Sequence, residues 1–276
     1  MSYKNILVHI DPGKHCAKRL EVAIKLAKEY DACLIGLHAF LPYAPPGYIM
    51  AQMGAEIIVA QKKAVTESME RTEKAFLNQT KSSGLERTEW YTAYEDPVYA
   101  MSSHARYADL VVISQGDSSD DSGVDINFPE RLILAAERPV LVLPYTDNFG
   151  SVGKRIMIAW NASQEAVRAI TNAIPFFRLA DKVYVTTVNA KSSNNDTIPC
   201  AGIVRYLTNH GVRLEVKEQY KVNIDSGNEL LSRASDLSAD LLVMGCYGHS
   251  RAREWILGGA TRTVLESMTL PVLLSH

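Results

Sequence analysis

Several common kinds of sequence feature are missing from this chain of 276 residues. Its four cysteines form neither a Cys-x-x-Cys pair nor a metal-like cluster, which argues against a disulfide framework and a zinc site. No apolar run approaches the ~20 residues that a membrane-spanning helix needs. Nucleic-acid-binding proteins usually show a dense basic stripe, whereas here 29 Lys and Arg face 31 Asp and Glu. We therefore expect neither a membrane nor a nucleic-acid partner.

Familiar nucleotide-binding and catalytic motifs are absent as well. There is no Gly-x-x-x-x-Gly-Lys-Ser/Thr, no Gly-x-Gly-x-x-Gly after a first strand, and no evident catalytic carboxylate pair or metal-ligand set. Cys246 and His249 are three residues apart, but no third group orients them, so we interpret them as loop composition and not as a nucleophile and its base. The neighbours His15 and Cys16 receive the same interpretation. We expect a binding protein more than an enzyme.

Composition and length are those of an ordinary globular protein. The chain is 47% hydrophobic and 22% charged, and its length suits two domains of roughly 100–150 residues. Residues 1–150 carry 15 basic and 20 acidic side chains, whereas residues 151–276 carry 14 and 11. The printed sequence runs into a strand-like segment at its start, without room for a signal peptide, so we expect a cytoplasmic protein.

The chain repeats itself. Four segments of the first half match segments of the second half, at an offset of 150 that falls to about 131 near the ends, so the first half has extra residues in between. The matches are 4–11 with 154–161, 31–35 with 181–185, 108–113 with 239–244, and 139–143 with 271–275. A polar, glycine-containing linker lies at 146–153. The repeat predicts two domains, 1–147 and 152–276.

Each half alternates short apolar runs with longer helical patterns. Continuous apolar strands separated by helices are typical of a parallel sheet with both faces covered, so each half is predicted to be a doubly wound α/β domain with five parallel strands in the order 3-2-1-4-5. In the second half we predict strands at 155–160, 182–188, 212–219, 240–245 and 271–275, and helices near 163–178, 198–210, 226–237 and 260–268. A longer helix over 53–82, after a Pro-rich loop at 42–47, accounts for the extra residues of the first half.

The most informative segment is residues 245–262, which follows the apolar run 240–244. It holds two glycines, three arginines and a glycine pair before a predicted helix. Glycines let backbone N–H groups approach a ligand, and a helix N-terminus attracts anions. In a 3-2-1-4-5 sheet this loop and the loop at 160–163 converge where the strand order reverses. A tight turn with a solvated basic face is the alternative; we favour an anion site.

The spacing Gly245-x-x-Gly248, nine residues, then Gly258-Gly259 and a closing Pro-Val-Leu strand resembles the universal stress protein family. The resemblance extends over nearly the whole chain, and the repeat makes it similar to a tandem, two-domain member. It implies that the halves pack as a pseudo-dimer through their last strands. It also implies a stress-response regulatory protein that binds an adenine nucleotide (ATP, ADP or AMP), with Mg²⁺ able to accompany the phosphates.

The resemblance also implies which residues would contact the nucleotide, all of them in the second half. The matching positions are Ala159, Asn161 and Val188 near the base, Met244 and Gly245 near the ribose, and Gly248, Gly258, Gly259 and Ala260 around the phosphates. To these we add side chains of the same segment as candidate phosphate contacts: Arg251 and Arg253, which can make charge-assisted hydrogen bonds, together with His249 and Thr261. Two positions depart from the family pattern. Asn161 replaces an acidic residue, which removes a charge but keeps an acceptor oxygen, and Gly259 replaces Ser or Thr, which removes a hydroxyl.

The first half departs much further from that pattern. Its loop at 114–125 has two glycines at another spacing, no arginine, and four aspartates where phosphate would lie, although Asp11 keeps the acidic residue. We interpret this half as a degenerate site because an acidic loop repels an anion. His9, His38 and His104 are interpreted as structural residues with satisfied hydrogen bonds.

Two other functions stay open at this point. The chain could be an interaction scaffold that holds no nucleotide, with the long helix and the Pro-rich loop as the surface for an unidentified protein partner. It could also be a slow ATPase, although no dedicated base is visible in the sequence. A homodimer of the two-domain chain is also left open.

Overall fold

A computed structural model describes residues 2–41, 55–120, 124–146, 149–187, 200–217, 226–246 and 259–276. Within those ranges the first half contains five strands and four helices. They are β1 (Asn5–Ile10), α1 (Cys16–Tyr30), β2 (Cys33–Ala39), α2 (Ala55–Ser82), β3 (Thr88–Ala93), α3 (Pro97–Ala105), β4 (Leu110–Ser114), α4 (Phe128–Ala135) and β5 (Val140–Leu143). The predicted long helix is confirmed as α2.

The second half repeats this order of elements. They are β6 (Arg155–Ala159), α5 (Gln164–Leu179), β7 (Lys182–Thr186), α6 (Ala201–Asn209), β8 (Leu214–Lys217), α7 (Ser226–Asp236), β9 (Leu241–Gly245), α8 (Gly259–Ser267) and β10 (Val272–Ser275). Strand β8 begins later than predicted because Val212 belongs to the end of the preceding helix. Its N–H donates to the Leu207 carbonyl at 3.1 Å, and Gly211 adopts the left-handed φ of 78° that such a helix end requires.

The ten strands of the described residues form one sheet, in the order β3-β2-β1-β4-β5-β10-β9-β6-β7-β8. Each half has the predicted order 3-2-1-4-5 with parallel pairing inside it. The halves join where β5 and β10 run antiparallel, with Leu141 opposite Leu273 and Val142 opposite Val272. The predicted fold class and the pseudo-dimer are confirmed.

The sheet is buried on both faces, as its continuous apolar strands predict. Ile6 and Val8 face a core built with α1, and Leu7 between them faces the opposite core, built with α3 and α4. Each core continues into the second half: Ile156 joins the first and Met157 joins the second. The pairing of β5 with β10 therefore produces two cores that each run through both halves.

Side chains of the helical layer reinforce this junction. The Tyr3 hydroxyl donates to the Asn172 carbonyl at 2.6 Å, and the Tyr3 ring lies edge-on to Phe176 with ring centroids 5.5 Å apart. Lys154 pairs with Glu29 at 2.8 Å on the surface. None of the helices within the described ranges combines the length and apolarity that crossing a membrane would take.

Candidate functional site

The carboxyl ends of β6 and β9 lie side by side at the point where the strand order of the second half reverses. Ala159 pairs directly with Met244 in the parallel register, so two of the predicted site residues are neighbours. The same register makes Gly245 the counterpart of Ser114, because Ile156 pairs with Leu241 as Ile6 pairs with Leu110. The two strands that precede the predicted loops therefore end side by side, as the strand order predicts.

Asn161 lies just beyond β6 and shapes the start of α5. Its Oδ1 accepts a hydrogen bond from the Ser163 backbone N–H at 3.0 Å, and the Ser163 hydroxyl caps the helix by accepting from the Ala166 N–H at 3.1 Å. Ala162 between them has a φ of 59°. Asn161 is exposed, and its side-chain N–H₂ is a further hydrogen-bond donor.

Gly245 has a packing reason to be glycine that the sequence pattern alone does not reveal. A Cβ at this position would lie 2.4 Å from the Ala166 nitrogen and 2.4 Å from the Glu165 carbonyl carbon. The first turn of α5 therefore rests directly against the end of β9. This contact brings the N-terminus of α5 to the strand ends where a ligand of the second half would lie.

The last predicted residues lie at the N-terminus of α8. Gly259, Ala260 and Thr261 form its first turn, and Thr261 is buried. Because α8 connects β9 to β10, its N-terminus faces the same sheet edge as that of α5, and at both ends the first N–H groups have no acceptor within the helix and the dipole end is positive. The remaining predicted residues, Val188, Gly248, His249, Arg251, Arg253 and Gly258, lie outside the described residues.

Two titratable side chains of the second half, Cys246 and Glu165, place buried atoms at this edge of the sheet. Cys246 is 1% exposed, and burial raises the pKa of its thiol, so it stays protonated and is no nucleophile at neutral pH. Glu165 carries a buried Oε2 with no hydrogen-bond partner among the described residues. Such an oxygen requires a donor. Within the described ranges no cluster of His, Cys, Asp and Glu could hold a metal ion.

The equivalent place in the first half is filled by a buried ion pair. Arg19 of α1 donates to Asp11 at 2.6 Å, to the Ser114 hydroxyl at 2.7 Å and to the His9 carbonyl at 2.7 Å. Burial alone would raise the pKa of Asp11, but the guanidinium and the His9 imidazole hold it well below its ordinary value. Sequence reasoning missed Arg19. The repeat contains a clue to it: at the offset of 150, the counterpart of Arg19 is Ala169, so the two halves differ in charge at this helix position.

A second carboxylate occupies the position that corresponds to Gly248. This is Asp117, which lies 2.7 Å from Lys14 Nζ and 3.0 Å from His15 Nε2, and accepts from the Ser119 N–H at 2.8 Å. The hydrogen bonds from Lys14 and His15 hold the pKa of Asp117 well below its ordinary value. The basic groups nearby are therefore already paired with a carboxylate of the chain itself.

The histidines differ from the expectation at one position. His38 Nδ1 donates to the Ile10 carbonyl at 2.9 Å and His104 Nδ1 to the Ala100 carbonyl at 3.0 Å, as structural residues do. His9 is 1% exposed, and its Nδ1 lies 3.2 Å from Asp11. Its Nε2, however, has no hydrogen-bond partner among the described residues. The interpretation of His9 as fully satisfied is wrong for this nitrogen.

Comparison with known proteins agrees with this architecture. The family model described as Universal stress protein family matches residues 2–144. Universal stress protein Slr1230 from Synechocystis sp. (strain ATCC 27184 / PCC 6803 / Kazusa) is 29% identical over 147 residues, which are 52% of this chain and 49% of that protein. The chain therefore spans about half the length of the curated relative it matches.

Among the solved structures that align with nearly the whole chain are two universal stress proteins. A universal stress protein from Archaeoglobus fulgidus DSM 4304 aligns with a TM-score of 0.72 at 15% identity, covering 98% of this chain and 95% of that one. A putative universal stress protein from Pseudomonas aeruginosa UCBPP-PA14 aligns with a TM-score of 0.58 at 15% identity, covering 99% and 93%. Identity this low shows the fold alone. Because the family model covers more than half of its residues, the chain belongs to the universal stress protein family.

Proposed function

We propose that the second half binds one adenine nucleotide (ATP, ADP or AMP) and that its occupancy acts as a regulatory signal in a stress response. The observation that carries the proposal is the contrast between equivalent positions of the two halves. His9, Arg19 and Ser114 fill the crevice of the first half. Their counterparts in the second half are Ala159, Ala169 and Gly245.

The second half also supplies groups suited to an anion. The helices α5 and α8 begin at the same sheet edge, and each offers a positive dipole end and N–H groups without an acceptor inside the helix to a phosphate. The half has a surplus of basic residues, including Arg251 and Arg253 in the glycine-rich segment. A guanidinium can bind two phosphate oxygens at once. Mg²⁺, where present, would be held by the phosphates.

One observation favours a second candidate, a scaffold that holds no nucleotide. Glu165 in the first turn of α5 places a buried carboxylate oxygen near the proposed phosphate end. An uncompensated negative charge there opposes phosphate binding. The two candidates therefore differ in whether the basic residues of the loop compensate Glu165 well enough to leave the site attractive to an anion.

Released nucleotide distinguishes these candidates. The purified protein is denatured by heat, and the supernatant is analysed by ion-exchange chromatography and mass spectrometry. The proposal predicts ATP, ADP or AMP at up to one equivalent per chain, whereas the scaffold predicts none, including after incubation with ATP and removal of the excess. Release of inorganic phosphate during that incubation measures the third alternative, slow ATP hydrolysis.

A glycine variant tests the proposed phosphate contact directly. Gly248→Val puts a side chain where the phosphate has to approach the backbone, so calorimetric binding of ATP is expected to disappear while thermal unfolding changes little. Gly202→Val is the matched control, because a Cβ at Gly202 meets nothing within 4 Å. Unchanged affinity in the Gly248 variant contradicts the placement of the phosphates.

A further inference from the structure

The first half contains a separate cavity of about 400 Å³ at the carboxyl ends of β1 and β2. This volume lies in the range of small-molecule pockets. Its walls combine apolar side chains with acidic ones. The apolar part comes from β2 and its extension, α2, α3 and α4, through Phe40, Val65, Met69, Val98 and Phe128.

Two buried histidines give this region hydrogen-bond acceptors. His38 lines the cavity, and burial lowers the pKa of its imidazole, which is therefore neutral at pH 7. Its Nδ1 must carry the proton, because it faces the Ile10 carbonyl, and Nε2 is left as an acceptor. His9 lines a smaller adjoining cavity of about 40 Å³ that shares Asp11 and Phe128 with the larger one.

His9 belongs to the lining of the smaller adjoining cavity and not of the larger one, and one of its ring nitrogens lacks a donor among the described residues. Burial lowers the pKa of its imidazole, and Nδ1 lies against the Asp11 carboxylate at 3.2 Å, which makes Nδ1 the donor and Nε2 the acceptor. That Nε2 is fully buried and has no partner among the described residues, which costs free energy unless a donor reaches it. The fold does not require a histidine there, because the counterpart is Ala159.

The charged side chains of the cavity also favour a ligand that carries a positively charged hydrogen-bond donor. Arg131 is shared between two carboxylates, with Nη2 at 3.3 Å from Asp96 and Nη1 at 3.4 Å from Asp125. Asp11 is the third carboxylate of the lining, and Arg19 behind it is the second guanidinium. Three carboxylates against two guanidiniums leave one net negative charge in this lining, whereas the charge of Asp117 at the adjoining cavity is offset by Lys14.

We propose that this cavity is a second ligand site, for a small organic amine with an aromatic or apolar body. The ammonium group pairs with the carboxylates of Asp96 and Asp125, and the body packs against Phe128 and Met69. An aromatic face near a cation adds a further attraction. Phosphate-bearing ligands are rejected, because Asp117 occupies the phosphate position of this half and already pairs with Lys14 and His15.

Three probes with one ring and different charges test this site: tyramine, its alcohol analogue tyrosol, and 4-hydroxyphenylacetate. In calorimetry or ligand-observed NMR on the full chain, tyramine is expected to bind saturably at one site. Tyrosol is expected to bind about tenfold more weakly, because its hydrogen bonds lack the charge. The acid is expected not to bind. Equal binding of amine and acid, or no saturable binding of tyramine, overturns the proposal.

Two variants on neighbouring positions of α2 locate the site. Ser68→Trp fills the cavity from its wall and is expected to abolish tyramine binding, whereas Glu67→Trp places the same ring on the exposed face and leaves binding unchanged. Saturating AMP is expected not to displace tyramine. This result separates the site from the nucleotide site proposed above and does not depend on it. Unchanged tyramine binding in Ser68→Trp overturns the proposal.

If Ser68→Trp fails to fold, a variant that removes charge from the cavity still tests the proposal. Asp96→Asn with Asp125→Asn retains the acceptor oxygens that cap α3 and hold the Asn127 N–H. It removes two negative charges beside Arg131. Tyramine is then expected to bind no more tightly than tyrosol, because one carboxylate against two guanidiniums leaves a net positive charge that repels the ammonium group. A preference for tyramine as large as in the unmodified chain contradicts the assignment of these carboxylates.

Discussion

Arg19→Ala tests whether the first half depends on its buried ion pair. The side chain is 3% exposed and makes three hydrogen bonds of 2.6–2.7 Å, to Asp11, Ser114 and the His9 carbonyl. Its removal leaves a carboxylate that is 8% exposed without a cationic partner. Breaking one side of a buried pair in this way costs about 3–5 kcal/mol, so the free energy of unfolding is expected to fall by that amount.

The second half provides the residues for the matched double variant. Asp11→Asn with Arg19→Ala installs the pair found at Asn161 and Ala169, which removes both charges together. Its cost is expected to be lower than that of Arg19→Ala by about 2 kcal/mol, because no unpaired charge stays buried. Lys25→Ala on the exposed face of α1 removes a surface pair with Glu21 and is expected to cost less than about 0.5 kcal/mol.

The dependence on pH has a defined sign. In the unmodified chain the pKa of Asp11 is lowered on folding, so the pair contributes stability above the unfolded value near pH ~3.9, and this contribution is lost as the pH falls toward the folded value. In Arg19→Ala burial raises the pKa of Asp11 instead, so the carboxyl is protonated in acid and its burial penalty disappears. The deficit of Arg19→Ala is therefore expected to shrink between pH 7 and pH 4.

Urea unfolding followed by circular dichroism at pH 7 and pH 4 measures these differences. A cost below about 1 kcal/mol for Arg19→Ala at pH 7 would refute the reasoning, since breaking a buried pair costs several times more. A double variant that is as unstable as the single one would also refute it, because the two residues would then act independently.

Three further changes test other parts of the molecule. Gln115→Leu is expected to cost about 2 kcal/mol in urea unfolding, because the amide N–H₂ of Gln115 donates to the Leu265 and Glu266 carbonyls across the junction and Leu leaves them unpaired. Asn161→Asp retains the turn at the start of α5 and adds an acceptor oxygen for the amino group of adenine. The binding free energy of ATP is therefore expected to improve relative to that of GTP by about 1 kcal/mol. If competition binding gives the same ratio of ATP to GTP affinity in both proteins, Asn161 does not contact the base. Residues 151–276 alone expose the β10 edge and are expected to dimerise in sedimentation experiments, whereas a strictly monomeric fragment contradicts that role for the strand.

The sequence predicts the fold well because its main signals are local. The apolar runs of β1, β4, β6 and β9 are buried on both faces, so they stand out from the amphipathic helices between them. Because the two halves repeat the same pattern, one predicted strand order applies to both of them. The start of β8 was harder to predict, because Val212 is β-branched, as strand residues often are, but completes a helix end around Gly211. No pattern of apolar residues distinguishes these two uses of a valine.

The sites were less predictable because they depend on contacts between distant residues. The positions of Ala159 and Met244 follow from the parallel sheet, and the structure makes them neighbours. The ion pair of Asp11 with Arg19, by contrast, joins a strand end to a helix face that otherwise reads as apolar. Gly245 fits a ligand pattern, yet its contact is with the first turn of α5. A motif indicates where a glycine lies but not what approaches it.

Photolabelling with 8-azido-ATP tests the central claim most directly, because it identifies the half that holds the base. The full chain is labelled with and without excess ATP, digested, and mapped by mass spectrometry. The account predicts one label per chain, suppressed by ATP, in peptides from residues 152–276 near Asn161 or the segment 245–262. ATP-suppressible labelling confined to residues 1–147, equal labelling of both halves, or no suppressible labelling would contradict it.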